Sequence, residues 1–211
     1  MTTYGLVLFD DAEELDFVGP WEVFTVSGML LAGASAGGAP TAIPAASPDT
    51  VVTIAAEDRP VRCAKGLRVL PDHTFSSHPT LDVVLVPGGV GTRREVDNPE
   101  LLEWLAKVGP GCDWVTSVCT GSLLLVASGV AAGRRVATHW SYEDKLASRG
   151  DATVVRDARW VRDGNVVSSQ GVSAGIDMAL WLVGQIHDPA HARQVQRYIQ
   201  YEPAPPYQAD V

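Results

Sequence analysis

Residues 115–122 read VTSVCTGS and contain one of the three cysteines of the chain. The apolar run 114–118 is typical of a buried strand, and it ends at Cys119. Residues 120–128 have the composition of a helix, which Gly129 closes. The stretch therefore predicts a strand that turns abruptly into a helix, with a single cysteine at the apex of the turn.

Strand and helix patterns alternate on both sides of this turn. Strands are predicted over residues 4–9, 51–56, 81–86, 114–118, 135–138 and 153–155, and hairpins over 61–70 and 160–168. Helices are predicted over residues 16–29, 99–108, 120–128, 142–149, 173–187 and 189–201, with Asn98 and Ser173 as caps. Residues 30–50, rich in Ala, Gly, Pro and Ser, are expected to form a loop insertion. The alternation predicts an α/β fold, with a mainly parallel sheet and helices on both of its faces.

Composition and charge narrow the class of protein. The 211 residues suffice for one domain, expected over 1–211, and 46% apolar with 19% charged residues is typical of a globular chain. A net charge of −9 disfavours nucleic acid as a partner, because phosphate binding needs a basic surface. The apolar runs are too short to span a membrane, and the first residues lack the features of a signal peptide. We therefore expect no membrane association and a cytoplasmic location.

The three cysteines are Cys63, Cys112 and Cys119. Their odd number and the lack of a CxxC or Cys/His spacing argue against a disulfide framework and against a zinc site. Cys63 falls in the predicted hairpin and Cys112 just before a strand, so a structural role is expected for both. Cys119 differs from them because it lies at a helix start.

The surroundings of Cys119 predict a reactive thiol. The unpaired N–H groups at a helix start favour an anion, so we expect a pKa below the usual ~8.5. The sequence PGG at 87–89 follows another buried strand and brings Gly88 and Gly89 to the same sheet edge. The N–H groups of Gly89 and Thr120 could form a two-donor anion hole, in which one donor is worth ~3 kcal/mol. The alternative for the glycines is a simple turn.

Several motifs resemble the PfpI superfamily, to which DJ-1 also belongs. They are GLVLFDDAEELDFVGP at 5–20, VPGGVG at 86–91 and TSVCTGSLLL at 116–125. RVATHW at 135–140, GIDMAL at 175–180 and YEPAPPY at 201–207 are closer to the isocyanide (isonitrile) hydratase branch. The resemblance implies a flavodoxin-like three-layer α/β sandwich, a homodimer, and a reactive cysteine on a nucleophile elbow.

The resemblance also implies roles for other residues. Asp16 matches a carboxyl that hydrogen-bonds the reactive cysteine, although an acid before an apolar helix is more often an N-cap. A buried carboxyl beside a thiolate would have a raised pKa and could donate a proton at neutral pH. His139 matches a histidine near the site, or is structural. Thr120 stands where the protease-like members carry histidine, which disfavours a peptidase.

The function implied is hydration of an isocyanide to an N-substituted formamide, with Cys119 as nucleophile, Asp16 as general acid and base, and no metal or organic cofactor. Ser169 and Gln170 replace glycines of that branch, which puts the choice of small-molecule substrate in question. One alternative is a glyoxalase-type relative that acts on reactive aldehydes, and another is a non-enzymatic redox or stress sensor. A ligand-sensing domain of a DNA-binding regulator is disfavoured, because no such region follows in the sequence.

Overall fold

The computed structural model describes residues 1–33 and 47–203. Its helices are α1 Glu14–Gly33, α2 Thr92–Glu95, α3 Pro99–Val108, α4 Gly121–Ala127, α5 Glu143–Ala147, α6 Ala174–Ile186 and α7 Pro189–Tyr198. Its strands are β1 Thr3–Val7, β2 Thr50–Ala55, β3 Val61–Arg62, β4 Arg68–Val69, β5 His73–Thr74, β6 Val83–Val86, β7 Trp114–Val118, β8 Arg135–Val136, β9 Thr153–Val154, β10 Trp160–Asp163 and β11 Val166–Ser169.

Seven of these strands form the main sheet, in the order β10-β11-β7-β6-β1-β2-β5. All neighbours are parallel except β10 and β11, which form an antiparallel hairpin at one edge. The central strands β2-β1-β6-β7-β11 follow the flavodoxin-like order, in which the chain reverses direction across the sheet beside β1. Ligands bind such sheets beyond the carboxyl ends of the strands at this reversal, where the loops after β1, β6 and β7 lie.

The sheet is buried on both faces, which explains its continuous apolar strands. In β1 and the residues after it, Tyr4, Leu6 and Leu8 pack with helices α1, α6 and α7. Val7 and Phe9 point to the opposite face and pack with α3 and α4. Because side chains alternate between the two faces of a strand, each strand contributes to both apolar cores. The three-layer α/β sandwich predicted from the sequence is confirmed.

The structure corrects some local predictions. Helix α1 continues to Gly33, so residues 30–33 are helical and not part of a loop; residues 34–46 of the predicted insertion lie outside the described residues. The short elements α2 and β5 were not predicted, because four and two residues carry too little periodicity. Asn98 is confirmed as the cap of α3, accepting from Glu100 N at 3.1 Å. Ser173 precedes α6 but makes no capping bond with its side chain.

No helix within residues 1–33 and 47–203 is both long enough and apolar enough to cross a membrane.

Candidate active site

Cys119 occupies the turn between β7 and α4 in a left-handed conformation, with φ of 58°. This conformation costs a residue with a Cβ about 1 kcal/mol or more, so the surrounding structure must hold it. Two buried hydroxyls hold the Cys119 carbonyl: Thr138 Oγ1 donates to it at 3.1 Å and Ser122 Oγ at 3.3 Å. The abrupt strand-to-helix turn with a cysteine at its apex, as predicted from the sequence, is therefore present.

Two glycines let neighbouring loops approach this turn closely. A Cβ on Gly121 would lie 2.1 Å from the carbonyl oxygen of Val86, and a Cβ on Gly88 would lie 2.5 Å from the Thr120 nitrogen and 2.8 Å from Cys119 Cβ. Neither position has room for any side chain. The loop after β6 is consequently pressed against the cysteine, as the shared sheet edge predicts.

Asp16 lies in the first turn of α1 with its side chain directed inward, and it is fully buried. Its Oδ2 accepts a hydrogen bond from Gly88 N at 2.8 Å. Its Oδ1 has no hydrogen-bond partner in the part of the chain that the structure describes. Asp16 is therefore not the helix N-cap that its sequence position also allowed.

Burial raises the pKa of Asp16 from 3.8 to about 7. The Gly88 N–H acts against this shift, the Glu13 carboxylate adds to it, and the Val172 N–H and the Cys119 thiol again lower the pKa. The protonated form that the sequence predicts for this carboxyl is thus accessible at neutral pH. The proximity of Cys119 makes the two residues a pair of interacting acids.

Cys119 is only 6% exposed, and its pKa is raised to about 12. Burial is the main cause and the Asp16 carboxylate the second, whereas the Thr120 N–H and hydroxyl and the Gly89 N–H lower the pKa. The predicted depression of this pKa is therefore wrong for the resting protein. Helix α4 has only seven residues, and its start cannot offset the loss of solvation around sulfur. Once Asp16 has lost its proton, the one proton left on the pair is held by Cys119.

The two amides predicted as an anion hole both lie against the sulfur, where they favour its ionised form. Gly89 has φ of 110°, and its N–H also donates to Thr120 Oγ1 at 3.1 Å. The N–H of Gly88 is instead committed to Asp16, so Gly88 positions the acid rather than facing a ligand. These bonds favour an anion-binding role for Gly89 over a simple turn, and they do not support one for Gly88.

His139 lines the same cavity as Cys119. Its Nδ1 accepts from Ser141 N at 3.3 Å and lies 2.8 Å from Ser141 Oγ. His139 thereby caps a single 3-10 turn, Trp140–Tyr142. Its ring packs so closely on Gly171 that a Cβ there would lie 2.2 Å from His139 Cδ2. His139 thus has a structural role while it also forms part of the cavity wall.

The cavity at Cys119 has a volume of about 160 Å³. Seven lining residues were not predicted from the sequence: Glu13, Ala64, Val90, Arg93, Ser141, Tyr142 and Val172. The guanidinium of Arg93 lies 4.3 Å from the centroid of the Tyr142 ring, and Glu13 forms an ion pair with Lys65. Glu13 lies within the motif at 5–20, and Arg93 follows closely after the motif at 86–91. Nearness to these motifs is the sequence signal that could have placed both residues at the site. Nothing in the sequence indicates that Tyr142 reaches this wall.

A larger groove, of about 410 Å³, lies beside α6 and α7 and is lined by Trp160, Trp181 and Arg193 among others. None of the predicted site residues contacts it. The smaller cavity is the candidate active site because it contains Cys119, although its volume is less than that of the groove. Among the described residues no three His, Cys, Asp or Glu side chains are grouped so that they could hold a metal ion.

Comparison with known proteins agrees with this geometry. The chain is 37% identical over 204 residues to an isonitrile hydratase of Pseudomonas putida, covering 96% of this chain and 80% of that protein. It is 27% identical over 189 residues to the glutathione-independent glyoxalase DJR-1.2 of Caenorhabditis elegans, covering 85% and 86%. The crystal structure of a ThiJ/PfpI family protein from Pseudomonas syringae superposes with a TM-score of 0.84 at 31% identity, covering 100% and 79%. The sequence model of the DJ-1/PfpI family matches residues 5–185, and the chain therefore belongs to that family.

Proposed function

We propose that this protein is an isocyanide hydratase, which adds water to R–N≡C and releases an N-substituted formamide. The observation that carries the proposal is that the Cys119 thiol lines a small cavity and also interacts with the buried carboxyl of Asp16. The 37% identity to an isonitrile hydratase supports the choice of substrate class. Every step below uses groups that lie at this site.

In the first step the sulfur of Cys119 attacks the terminal carbon of the isocyanide. Asp16, as carboxylate, takes the thiol proton, which burial keeps on sulfur at rest. The C–S bond forms, and the carbon receives the same proton from Asp16. The product is the thioimidate R–N=CH–S–Cys119, and no net proton is gained or lost.

In the second step water adds to the thioimidate carbon. Asp16 removes a proton from the water and delivers it to nitrogen, which gives R–NH–CH(OH)–S–Cys119. The C–S bond then breaks, the hydroxyl proton returns to sulfur, and R–NH–CHO leaves. The N–H groups of Gly89 and Thr120 stabilise charge on oxygen at the tetrahedral stage. The sequence of steps uses no metal and no organic cofactor.

The cavity supports a small substrate. Its volume of about 160 Å³ is less than the usual ~300 Å³ or more of a pocket for a drug-sized ligand. A short alkyl, cyclohexyl or phenyl isocyanide presents a linear, weakly polar head to Cys119. We expect the ring or chain of the substrate to lie against Val90 and Tyr142.

The decisive experiment is mass spectrometry of the intact protein during reaction with cyclohexyl or para-substituted phenyl isocyanide. We expect an adduct on Cys119 with the mass of one isocyanide, together with the appearance of the formamide. If neither the adduct nor the formamide forms, the proposal is wrong.

A glyoxalase is the second candidate, favoured by the likeness to the glyoxalase of Caenorhabditis elegans. The same residues would add water across methylglyoxal by way of a hemithioacetal on Cys119 and release lactate. Incubation with methylglyoxal and measurement of lactate separates this candidate from the first. A redox sensor is disfavoured by the raised pKa of Cys119, because thiolate is the readily oxidised form.

We further propose that the protein acts in the cytoplasm, and that it is a homodimer, as the family resemblance implies. Three apolar side chains on one side of α1, Leu15, Val18 and Trp21, are each more than a third exposed, which supports an interface between copies. Light scattering after size exclusion tests the dimer: a monomer at micromolar concentration would contradict it.

A further inference from the structure

A buried threonine outside the quoted motifs contacts the hydroxyl that faces Cys119. Thr92 opens α2, is 0% exposed, and places its Oγ1 3.0 Å from Thr120 Oγ1. Thr120 follows the nucleophile in the chain, whereas Thr92 reaches it from the loop after β6. The two hydroxyls form a buried pair behind the sulfur.

The hydrogen bonds around Gly89 determine where the hydrogen of each hydroxyl can go. The Gly89 carbonyl accepts from Arg93 Nη1 at 2.5 Å and from Thr92 N at 3.2 Å, which occupies its two lone pairs. Thr92 Oγ1 lies 2.8 Å from the same carbonyl and competes for it. Three donors compete there for two lone pairs, and the Thr92 hydroxyl has the alternative of donating to Thr120 Oγ1, at 3.0 Å.

When the Thr92 hydroxyl donates to it, Thr120 Oγ1 accepts from two donors, because Gly89 N–H also donates to it at 3.1 Å. A hydroxyl has two lone pairs and one hydrogen, so both acceptor positions are filled. The Thr120 hydrogen must therefore be donated. Its two acceptors are the occupied Gly89 carbonyl, at 3.3 Å, and the sulfur of Cys119.

We propose that Thr92 is a positioning residue that acts through Thr120: by donating to Thr120 Oγ1, it directs the Thr120 hydroxyl hydrogen onto the Cys119 sulfur. The sulfur becomes an anion as it attacks and again as it leaves, and a hydrogen bond to it favours both stages. This assignment deepens the proposed function, since it rests on Cys119 as the nucleophile. It does not depend on which electrophile Cys119 attacks.

The test measures how fast iodoacetamide alkylates Cys119 between about pH 6 and 9, with the modified peptide identified by mass spectrometry to separate Cys119 from Cys63 and Cys112. We expect Thr92→Val, which keeps the shape and removes the hydroxyl, to slow alkylation roughly three- to tenfold at each pH, the size of effect expected of one hydrogen bond. Thr92→Ser keeps the hydroxyl and should react at the wild-type rate.

A double-mutant cycle distinguishes action through Thr120 from a general effect on the fold. Thr120→Val alone should slow alkylation, and adding Thr92→Val to it should have no further effect. The proposal is overturned if Thr92→Val reacts like wild type, if Thr92→Ser is as slow as Thr92→Val, or if the two Val variants slow the reaction independently. Thr92→Ala replaces Thr92→Val in the cycle if the latter does not fold. Because alkylation needs no isocyanide, these outcomes are independent of a failure to produce formamide.

Discussion

The N–H of Gly88 donates to Asp16 Oδ2 at 2.8 Å and so joins two residues that lie 72 positions apart in the sequence. The bond fixes the carboxyl of α1 against the loop after β6, and that loop in turn packs on the cysteine elbow. Acid, amide and thiol are thereby held in one rigid arrangement. The catalytic role proposed for Asp16 and Cys119 needs this kind of restraint, because small displacements of the reacting groups cost large factors in rate.

Asp16→Asn should lower kcat/KM for an isocyanide by ~10²-fold or more, since the amide cannot carry the proton between sulfur, carbon and water. The Asn side-chain oxygen can still accept from Gly88 N, so the fold and the cavity should be kept. Steady-state measurement of formamide production checks the rate, and circular dichroism checks the fold. A variant that turns over at the wild-type rate would rule out proton transfer by Asp16.

Cys119→Ala should abolish turnover and adduct formation and leave the protein folded. The matched control is Cys112→Ala, because Cys112 is buried in the core beneath α3, where its thiol donates to Val108 O at 3.5 Å. We expect the control to keep its activity and to lose about 1 kcal/mol of stability. Residual hydration by the Cys119 variant would show that the thiol is not the nucleophile.

The rate should depend on pH through Asp16, whose pKa is raised to about 7. In the proposed mechanism the reactive form has a protonated Cys119 thiol and an ionised Asp16 carboxylate. We therefore expect kcat/KM to rise with pH through about 7 and then to level off. A profile that falls across this range would mean that the doubly protonated pair is the active form.

The same carboxyl should make the protein less stable as the pH rises. Its folded pKa of about 7 exceeds the usual 3.8, so its contribution is fully present below about pH 4 and is lost as the pH rises to 7. The loss is on the order of 4 kcal/mol by linkage. Urea unfolding at pH 5 and 8 should show Asp16→Asn gaining stability relative to wild type between these values. A constant difference would mean that Asp16 is not buried as described.

Gly88→Ala should lower activity by at least about tenfold and also destabilise the protein. Its Cβ would lie 2.5 Å from the Thr120 nitrogen and would push the loop away from Cys119, which separates the acid from the thiol. Gly111→Ala is the matched control, because a Cβ there meets no described heavy atom within 4 Å. Activity and melting temperature of the two variants should be measured side by side; equal behaviour would contradict the close packing at Gly88.

The sequence predicts the framework of this site well, because continuous apolar strands and the glycines after them are local signals. Cys119, Gly89 and Thr120 come together as expected, since parallel strands end at the same sheet edge. The pKa of Cys119 could not be predicted, because it depends on how completely the sulfur is buried and on a carboxylate from α1. The contact between Arg93 and Tyr142 was missed for a similar reason: it depends on how α2 packs against the residue that precedes α5, which no short pattern encodes.

The extension of α1 to Gly33 shows tertiary packing overriding local preference. Gly33 is a poor helix former, yet Leu30, just past the predicted end of the helix, packs partly buried against the apolar core and the helix continues. Composition alone cannot register such burial. Helix ends are therefore where sequence-based boundaries are least secure in this chain.

The acid, its glycine anchor and the thiol follow three neighbouring strands, β1, β6 and β7, so they meet only when those strands have paired. In a nascent or misfolded chain, the Asp16 carboxyl is consequently separated from Cys119, which then has the environment of an unperturbed cysteine. The proposed site is therefore assembled in the same cooperative step that forms the native sheet. On heating, activity should therefore be lost in a single step when the sheet unfolds, and no partly unfolded form should remain active.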